Sequence, residues 1–119
     1  MFVKVQSCGL MGLEGYPVWV EADNSPGMVA WSMVGLPDAA VKESKERVLA
    51  ALKNSGYARP LNRTVINLAP ADTRKEGPIY DLPIAVGILA ATGQIDLSQD
   101  RDAAFLGELS LDGGGRGGR

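Results

Sequence analysis

The stretch TVINLAPADTRKEGPIYDLPIAVGILAATG, residues 64–93, decides the fold. Its first part, residues 64–68, is a β-branched apolar run typical of a buried strand. Residues 79–92 are apolar on nearly every side and end before a glycine, which predicts a buried helix. Pro83 fits only the first turn of a helix, so this helix is expected to begin at residues 79–81. A strand joined through a polar loop to a buried helix indicates an α/β unit.

Three strands are predicted ahead of this unit. Residues 2–7 and 17–22 alternate apolar and polar side chains, and residues 28–34 form a mostly apolar run. The sequence Asp-Asn-Ser-Pro-Gly between the last two segments is a dense turn signal, which predicts an antiparallel hairpin. In such a hairpin, Trp19 and Trp31 could pair across the strands or form a surface for a base or a partner chain, and the first is favoured.

The sequence between these strands and the α/β unit predicts an amphipathic helix over residues 38–55. Pro37 suits the start of a helix, and Gly56 is a typical stop. Glu43 and Arg47 stand four residues apart, a spacing that favours an ion pair on the helix surface.

A final strand is predicted at residues 103–109, which gives the element order β-β-β-α-β-α-β. The expected fold class is therefore α/β, built as an α+β two-layer domain that covers residues 1–113. Residues 114–119 belong to the glycine-rich ending GGGRGGR and are expected to form a flexible tail. This ending differs from the rest of the chain, as expected for a truncation or a cloning remnant.

The composition of the 119-residue chain argues against several classes of site. It has no histidine and one cysteine, Cys8, which excludes Ser-His-Asp catalysis, His-ligated metals and an intrachain disulfide. No Gly-Lys pair occurs, so a P-loop is absent. The net charge of −2 disfavours a dedicated nucleic-acid domain. Without a signal peptide or an apolar stretch long enough to span a membrane, the expected location is the cytoplasm.

The polar loop inside the opening stretch is the strongest candidate for chemistry. Arg74 and Lys75 could bind phosphate or a partner, but the composition favours a solvated turn whose charges cap the following helix. Asp81 could position a ligand or bind a metal, although a carboxylate bonded to the free N–H groups of the helix N-terminus is favoured. The candidate positioning residues of this segment are Asn67, Asp72, Glu76 and Asp81.

Four blocks of sequence occur together in a recognisable order. They are GLPDAAVKES at residues 35–44, NLAPAD at 67–72, RKEGP with DLPIA at 74–85, and GELSLDG at 107–113. These blocks closely resemble the N-terminal domain of the magnesium-chelatase-like ComM/YifB family, over roughly residues 1–113.

The resemblance implies a Lon-protease-like domain with the ribosomal protein S5 domain 2-like fold. In the family this domain precedes an AAA+ ATPase motor that uses ATP and Mg²⁺, and the proteins act as hexameric DNA helicases in branch migration during natural transformation. The sequence ends inside the family's pattern, ahead of the motor. ATP hydrolysis is therefore not assigned to this fragment, for which no cofactor and no metal site are expected.

The resemblance leads us to expect a non-catalytic accessory domain that assists ring assembly or guides DNA. The alternative is a purely structural oligomerisation module. The expected partners of the domain are the motor domain of the same polypeptide, further copies of itself and, as a candidate, DNA. No membrane is expected among its partners. The candidate residues for binding DNA or a partner are Lys42, Lys45, Arg47, Arg74 and Lys75.

A Ser-Lys peptidase of the Lon type is a remote third possibility. In active Lon enzymes a serine follows a Gly-Pro pair at the start of the buried helix. Here Gly77 and Pro78 are followed by Ile79, which has no nucleophilic atom. The only basic residues after the last family block are Arg116 and Arg119, and arginine is a poor base. No catalytic residue is therefore predicted.

Overall fold

The computed structural model describes residues 1–11, 14–70, 75, 78–97, 105, 107–112 and 115–116. For residues 9–11, 14–15 and 115–116 the description covers the backbone only. The elements in chain order are β1 (Phe2–Met11), β2 (Glu14–Ser25), β3 (Ala30–Val34), α1 (Asp38–Asn54), β4 (Arg63–Ala69), a 3-10 helix (Pro78–Tyr80), α2 (Asp81–Ala91), β5 (Glu108–Leu109) and β6 (Gly115–Arg116).

The first four strands form one mixed sheet in the order β1-β2-β4-β3. β2 pairs antiparallel with both β1 and β4, whereas β3 runs parallel to β4. The buried side chains of the strands and of both helices form one hydrophobic cluster. Both helices therefore cover the same face of the sheet. This arrangement confirms the predicted α+β two-layer fold class.

The hairpin predicted from β2 and β3 is wrong. β2 forms its hairpin with β1, and β4 lies between β2 and β3. The chain does turn after Ser25, but β3 is connected to β4 through helix α1, and strands joined by such a crossover run parallel. Trp19 and Trp31 therefore do not pair. The ammonium group of Lys4 lies 4.9 Å from the ring centre of Trp19, and that of Lys45 lies 5.8 Å from that of Trp31.

The core lies between the sheet and the helices. Alternate residues of the central strands point into it, as the pleat of a strand requires, so that one face of the sheet is buried. The fully buried members with an exposed fraction of 0% include Val18, Val20, Ile66, Leu68, Val48, Ile84 and Ile88. Each such side chain contributes about 1.5–3 kcal/mol relative to an exposed position. These contacts hold α2 against β1 and β2.

Both helix predictions are confirmed. Helix α1 covers residues 38–54, one residue short of the expected end, and α2 begins at Asp81 after the short 3-10 helix. Pro83 is the third residue of α2, where its missing N–H costs no hydrogen bond. Helix α2 is buried on nearly every side because it packs on the sheet and beside α1.

The C-terminal part differs in extent from the prediction. Of the strand expected at residues 103–109, the structure shows β5, while residues 103, 104 and 106 lie outside the described residues. β5 pairs antiparallel with β6, which falls within the segment expected to be a flexible tail. The backbone N–H of Phe105 donates to the carbonyl of Gln6 at 2.9 Å, so the chain contacts the β1 edge of the sheet just before β5.

Candidate functional site

Asp81 is the centre of a buried polar cluster between the two helices. Its side chain is fully buried at the first residue of α2. The Ser44 hydroxyl donates to Oδ1 at 2.9 Å, and Arg47 donates through Nε to Oδ2 at 2.5 Å and through Nη2 to Oδ1 at 3.1 Å. The backbone N–H of Leu109 donates to Oδ2 at 3.3 Å. Ser44, Arg47, Asp81 and the Leu109 N–H are called the Asp81 cluster below.

Three elements of the fold build this cluster. Ser44 and Arg47 stand three residues apart on α1, which places them on one face of the helix, directed at α2. Leu109 belongs to β5, which α2 and α1 both contact. The chain also approaches here through the backbone, because Gly107 donates to the carbonyl of Ile79 at 2.6 Å and Leu82 donates to the carbonyl of Gly107 at 3.0 Å. The Asp81 cluster therefore joins α1, α2 and β5.

Two sequence expectations for these residues are wrong. Asp81 does not bond the free N–H groups of its own helix, since its described donors come from α1 and β5. Arg47 pairs with Asp81 and not with Glu43, the neighbour one turn earlier. The physical reason is the same in both cases. A buried carboxylate needs a charged partner and satisfied oxygens, and only the packing of α1 against α2 supplies them.

The electrostatics of the cluster favour the charged form of Arg47. The hydrogen bond and the charge of Asp81 raise the pKa of Arg47 above its ordinary value, against the opposing effect of partial burial. The guanidinium group binds the carboxylate with two nitrogen atoms, the strong bidentate geometry. Both oxygens of Asp81 are thus occupied by donors, so this carboxylate links α1, α2 and β5.

The bidentate geometry leads to a prediction for Arg47. Arg47→Lys keeps the charge but cannot donate from two fixed nitrogens, so the free energy of unfolding should fall by about 1–2 kcal/mol. Urea denaturation followed by circular dichroism measures this change. The control is Arg63→Lys on the exposed start of β4, where the expected change is below about 0.5 kcal/mol. Equal effects of the two substitutions would contradict a role for the bidentate geometry of Arg47.

Only part of the predicted loop falls within the described residues. Asp72, Arg74 and Glu76 lie outside them, so their predicted roles stay predictions. Lys75 is 4% exposed, and its ammonium group donates to the carbonyl of Pro70. Asn67 lies on the sheet face opposite the helices, where its amide donates to Glu21 Oε1 at 2.9 Å. The described residues of this segment thus point in different directions and form no common site with Asp81.

The basic residues of α1 are also distributed. Lys42 is exposed, Lys45 is half-buried beside the ring of Trp31, and Arg47 is bound to Asp81. Arg47 and Lys75 therefore already have partners inside the chain. Sequence analysis did not identify Ser44 as a partner of Asp81, although its spacing from Arg47 was visible in the helix pattern.

Ile79 is the residue that, by the resemblance alone, is aligned with the serine of Lon enzymes. It lies in the 3-10 helix, partly buried, and its side chain packs against the hydrophobic core. Among the described residues, no group of three histidine, cysteine or acidic side chains could hold a metal ion. Within the same residues, neither helix has the length and apolar character needed to cross a membrane.

Comparison with known proteins places the chain in a family. Residues 20–118 match the family described as subunit ChlI of Mg-chelatase. The chain is 44% identical to the uncharacterized protein YifB of Escherichia coli and 45% identical to the competence protein ComM of Haemophilus influenzae, each over 95% of the chain and 22% of the relative. The uncharacterized protein Rv2897c of Mycobacterium tuberculosis is 41% identical over 90% of the chain and 21% of its own length.

The chain thus spans about a fifth of the length of the curated relatives it matches. The family match covers most of the chain, and the identity to YifB and ComM extends across nearly all of it. The chain therefore belongs to the ComM/YifB-type magnesium-chelatase-like family.

Proposed function

We propose that this chain is a non-catalytic accessory domain of a magnesium-chelatase-like AAA+ ATPase that acts in DNA branch migration during natural transformation, and that it assists assembly of the ring. The observation that carries the proposal is the Asp81 cluster. The Asp81 carboxylate is fully buried and is bound by Arg47, Ser44 and the Leu109 N–H. The residue best placed for chemistry is thus used to hold the helices and β5 together.

The relatives support the wider setting of this proposal. A competence protein is 45% identical to the chain, and the matched region is 22% of that protein. We assign ATP and Mg²⁺ to a motor domain that these 119 residues do not contain, because the sequence lacks a P-loop. The proposed partners are that motor domain and further copies of the protein in a hexamer, and the proposed location is the cytoplasm.

The geometry favours assembly over direct guidance of DNA. A DNA-binding surface needs several basic side chains free on one face. Arg47 is bound to Asp81 and Lys75 is buried, so neither is free to neutralise a phosphate. Of the candidate residues on α1, Lys42 and the half-buried Lys45 remain, within a chain whose net charge is −2. A peptidase activity gains no support, because an isoleucine side chain packed on the core occupies the position of the nucleophile.

Two measurements on the chain test this function. Sedimentation velocity over a range of protein concentrations should show reversible self-association. Fluorescence anisotropy with labelled single-stranded and four-way-junction DNA at low salt should show no saturable binding, since Arg47 and Lys75 are engaged within a chain whose net charge is −2.

Lys42→Glu provides the matched variant for the DNA arm, and Lys53→Glu at the other end of α1 provides its control. A strictly monomeric chain would contradict the assembly role. Saturable DNA binding that weakens with salt and is lost in Lys42→Glu but kept in Lys53→Glu would establish DNA guidance instead.

A further inference from the structure

Exposed apolar side chains gather where the chain enters β3. Met28 and Val29, just before this strand, are 90% and 70% exposed, and Leu61, shortly before β4, is 65% exposed. The N–H of Ala30 donates to the carbonyl of Asn62 at 3.2 Å, which brings the two segments together. Apolar groups collected at one place on a surface are typical of a site that another protein covers. Met28, Val29 and Leu61 are called the β3-side patch below.

Two arginines border the β3-side patch. Arg63 is exposed and lies beside the loop that carries Met28, because a Cβ added to Gly27 would be 3.7 Å from the Cβ of Arg63. Arg59 is exposed as well and comes shortly before β4. The segment that forms the loop and β3, residues 24–37, contains no charged side chain, so it supplies no acidic group to neutralise the two arginines. The surroundings of the patch are therefore apolar and positively charged.

The opposite edge of the sheet carries a mainly apolar cavity of about 420 Å³. Its lining comes from the start of β1, the end of α2 and the segment that follows α2, and includes Val3, Lys4, Ala90, Ile95, Asp96 and Leu97. A cavity of about 150 Å³ already admits a benzene-sized group, so an unbranched methionine side chain fits here. Because β1 and β3 are the two edges of the sheet and neighbouring strands lie about 4.8 Å apart, the cavity and the β3-side patch are separated by three strand spacings. One copy therefore cannot place its own patch in its own cavity.

We infer that the β3-side patch of one copy of this chain docks in the β1-edge cavity of the next copy, with Met28 as the inserted side chain. This contact joins two different surfaces, so each copy binds one neighbour through its patch and another through its cavity. Head-to-tail contacts of this kind form a ring when the rotation between successive copies closes, whereas a two-fold contact stops at two copies. The inference rests on the proposed role in ring assembly and names the two surfaces that perform it.

A second copy is the occupant that fits because the charges at the two surfaces are complementary. Asp96 is exposed and lines the cavity. Lys4 lines it too, but its ammonium group is engaged with the ring of Trp19, 4.9 Å from the ring centre. With Met28 inserted, Arg63 comes toward Asp96 of the next copy. Opposite charges across an interface favour this pairing over a contact of the positively charged patch with itself.

Met28→Asn and Asp96→Arg each change one of the two surfaces. Both residues are exposed, so neither substitution removes a side chain from the core. Each variant should raise the dissociation constant of self-association at least about tenfold, the first by losing the burial of an apolar side chain and the second by placing like charges together. Leu111→Asn is the matched control, because Leu111 is an exposed apolar residue outside both surfaces, and it should leave the constant unchanged. Sedimentation velocity measures the constants, and circular dichroism verifies that the variants fold.

Mixing the two variants separates a head-to-tail contact from a two-fold contact. Met28→Asn keeps an intact cavity and Asp96→Arg keeps an intact patch, so the mixture should form a one-to-one pair that neither variant forms alone. The pair should not grow further, because the surfaces left over are the two mutated ones. Adding Arg63→Glu to Asp96→Arg restores opposite charges at the contact and should recover self-association of that variant.

The outcomes distinguish this contact from the assembly role. Self-association that Met28→Asn and Asp96→Arg leave unchanged, or that Leu111→Asn weakens as much, would overturn the contact between patch and cavity but not the assembly role. A mixture that associates no better than its two components would overturn the head-to-tail arrangement. A strictly monomeric chain would overturn both this inference and the proposed function.

Discussion

Asp81→Ala should lower the free energy of unfolding by about 3 kcal/mol. Removing one partner of a buried ion pair typically costs about 3–5 kcal/mol, because the other charge is left unpaired. The lower end of this range applies because the Arg47 side chain is 21% exposed, so water hydrates part of its charge once Asp81 is removed. The Ser44 hydroxyl and the Leu109 N–H lose their acceptor as well. Urea denaturation followed by circular dichroism measures the loss, which corresponds to a melting temperature lower by about 10–20 °C.

Asp38→Ala is the matched control for this prediction. Asp38 and Asp81 are both the acidic residue of a helix first turn, but Asp38 is exposed. Its removal should cost less than about 1 kcal/mol, the contribution of a carboxylate at a helix N-terminus. Equal losses in the two variants would mean that Asp81 acts through its own helix end and not through Arg47.

Gly35→Ala should destabilise the chain by a similar amount, about 3 kcal/mol. Gly35 directly follows β3 and has φ at 108°, a conformation that residues with a side chain rarely adopt. An added Cβ would lie 2.6 Å from the carbonyl oxygen of Leu68 and 2.9 Å from its Cβ. The substitution therefore combines backbone strain of about 1–2 kcal/mol with overpacking of about 1–3 kcal/mol. Because β4 must move to relieve the contact, the midpoint of urea denaturation should fall sharply.

Gly93→Ala separates the two contributions. Gly93 follows α2 with φ at 78°, and nothing lies within 4 Å of an added Cβ. This variant should cost about 1 kcal/mol from the backbone alone. A loss in Gly35→Ala no larger than that in Gly93→Ala would show that β4 accommodates the methyl group without strain.

Local patterns were sufficient to predict most elements of the fold. The β-branched run of β4 and the nearly continuous apolar character of α2 give these elements the same location in sequence and structure. The alternation in β1 and β2 likewise marked which side chains face the core. Turn signals were less informative. The turn signal after Ser25 indicates that the chain changes direction, but it does not indicate which strand pairs with β2. The position of β4 between β2 and β3 depends on contacts distant in sequence.

In the candidate site, too, the sequence identified individual residues but not their partners. Sequence alone singled out Asp81 as a charge ahead of an apolar helix, and it identified Arg47 as a basic residue of α1. It paired neither of them correctly, because helix spacing and end effects describe only neighbours within one element. The pair forms because α1 and α2 pack side by side and bring Arg47 and Ser44 to the buried carboxylate.

The sequence by itself determined the class of the domain, its family and the absence of a histidine- or P-loop-based site, since these depend on residue types and short spacings. Tertiary structure alone decided the order of the strands, the partners of Asp81 and Arg47 and the burial of Lys75. The physical reason is that burial and charge pairing are properties of surfaces brought together by folding. A carboxylate or a strand edge has a partner only when the rest of the chain, or another copy, is placed against it.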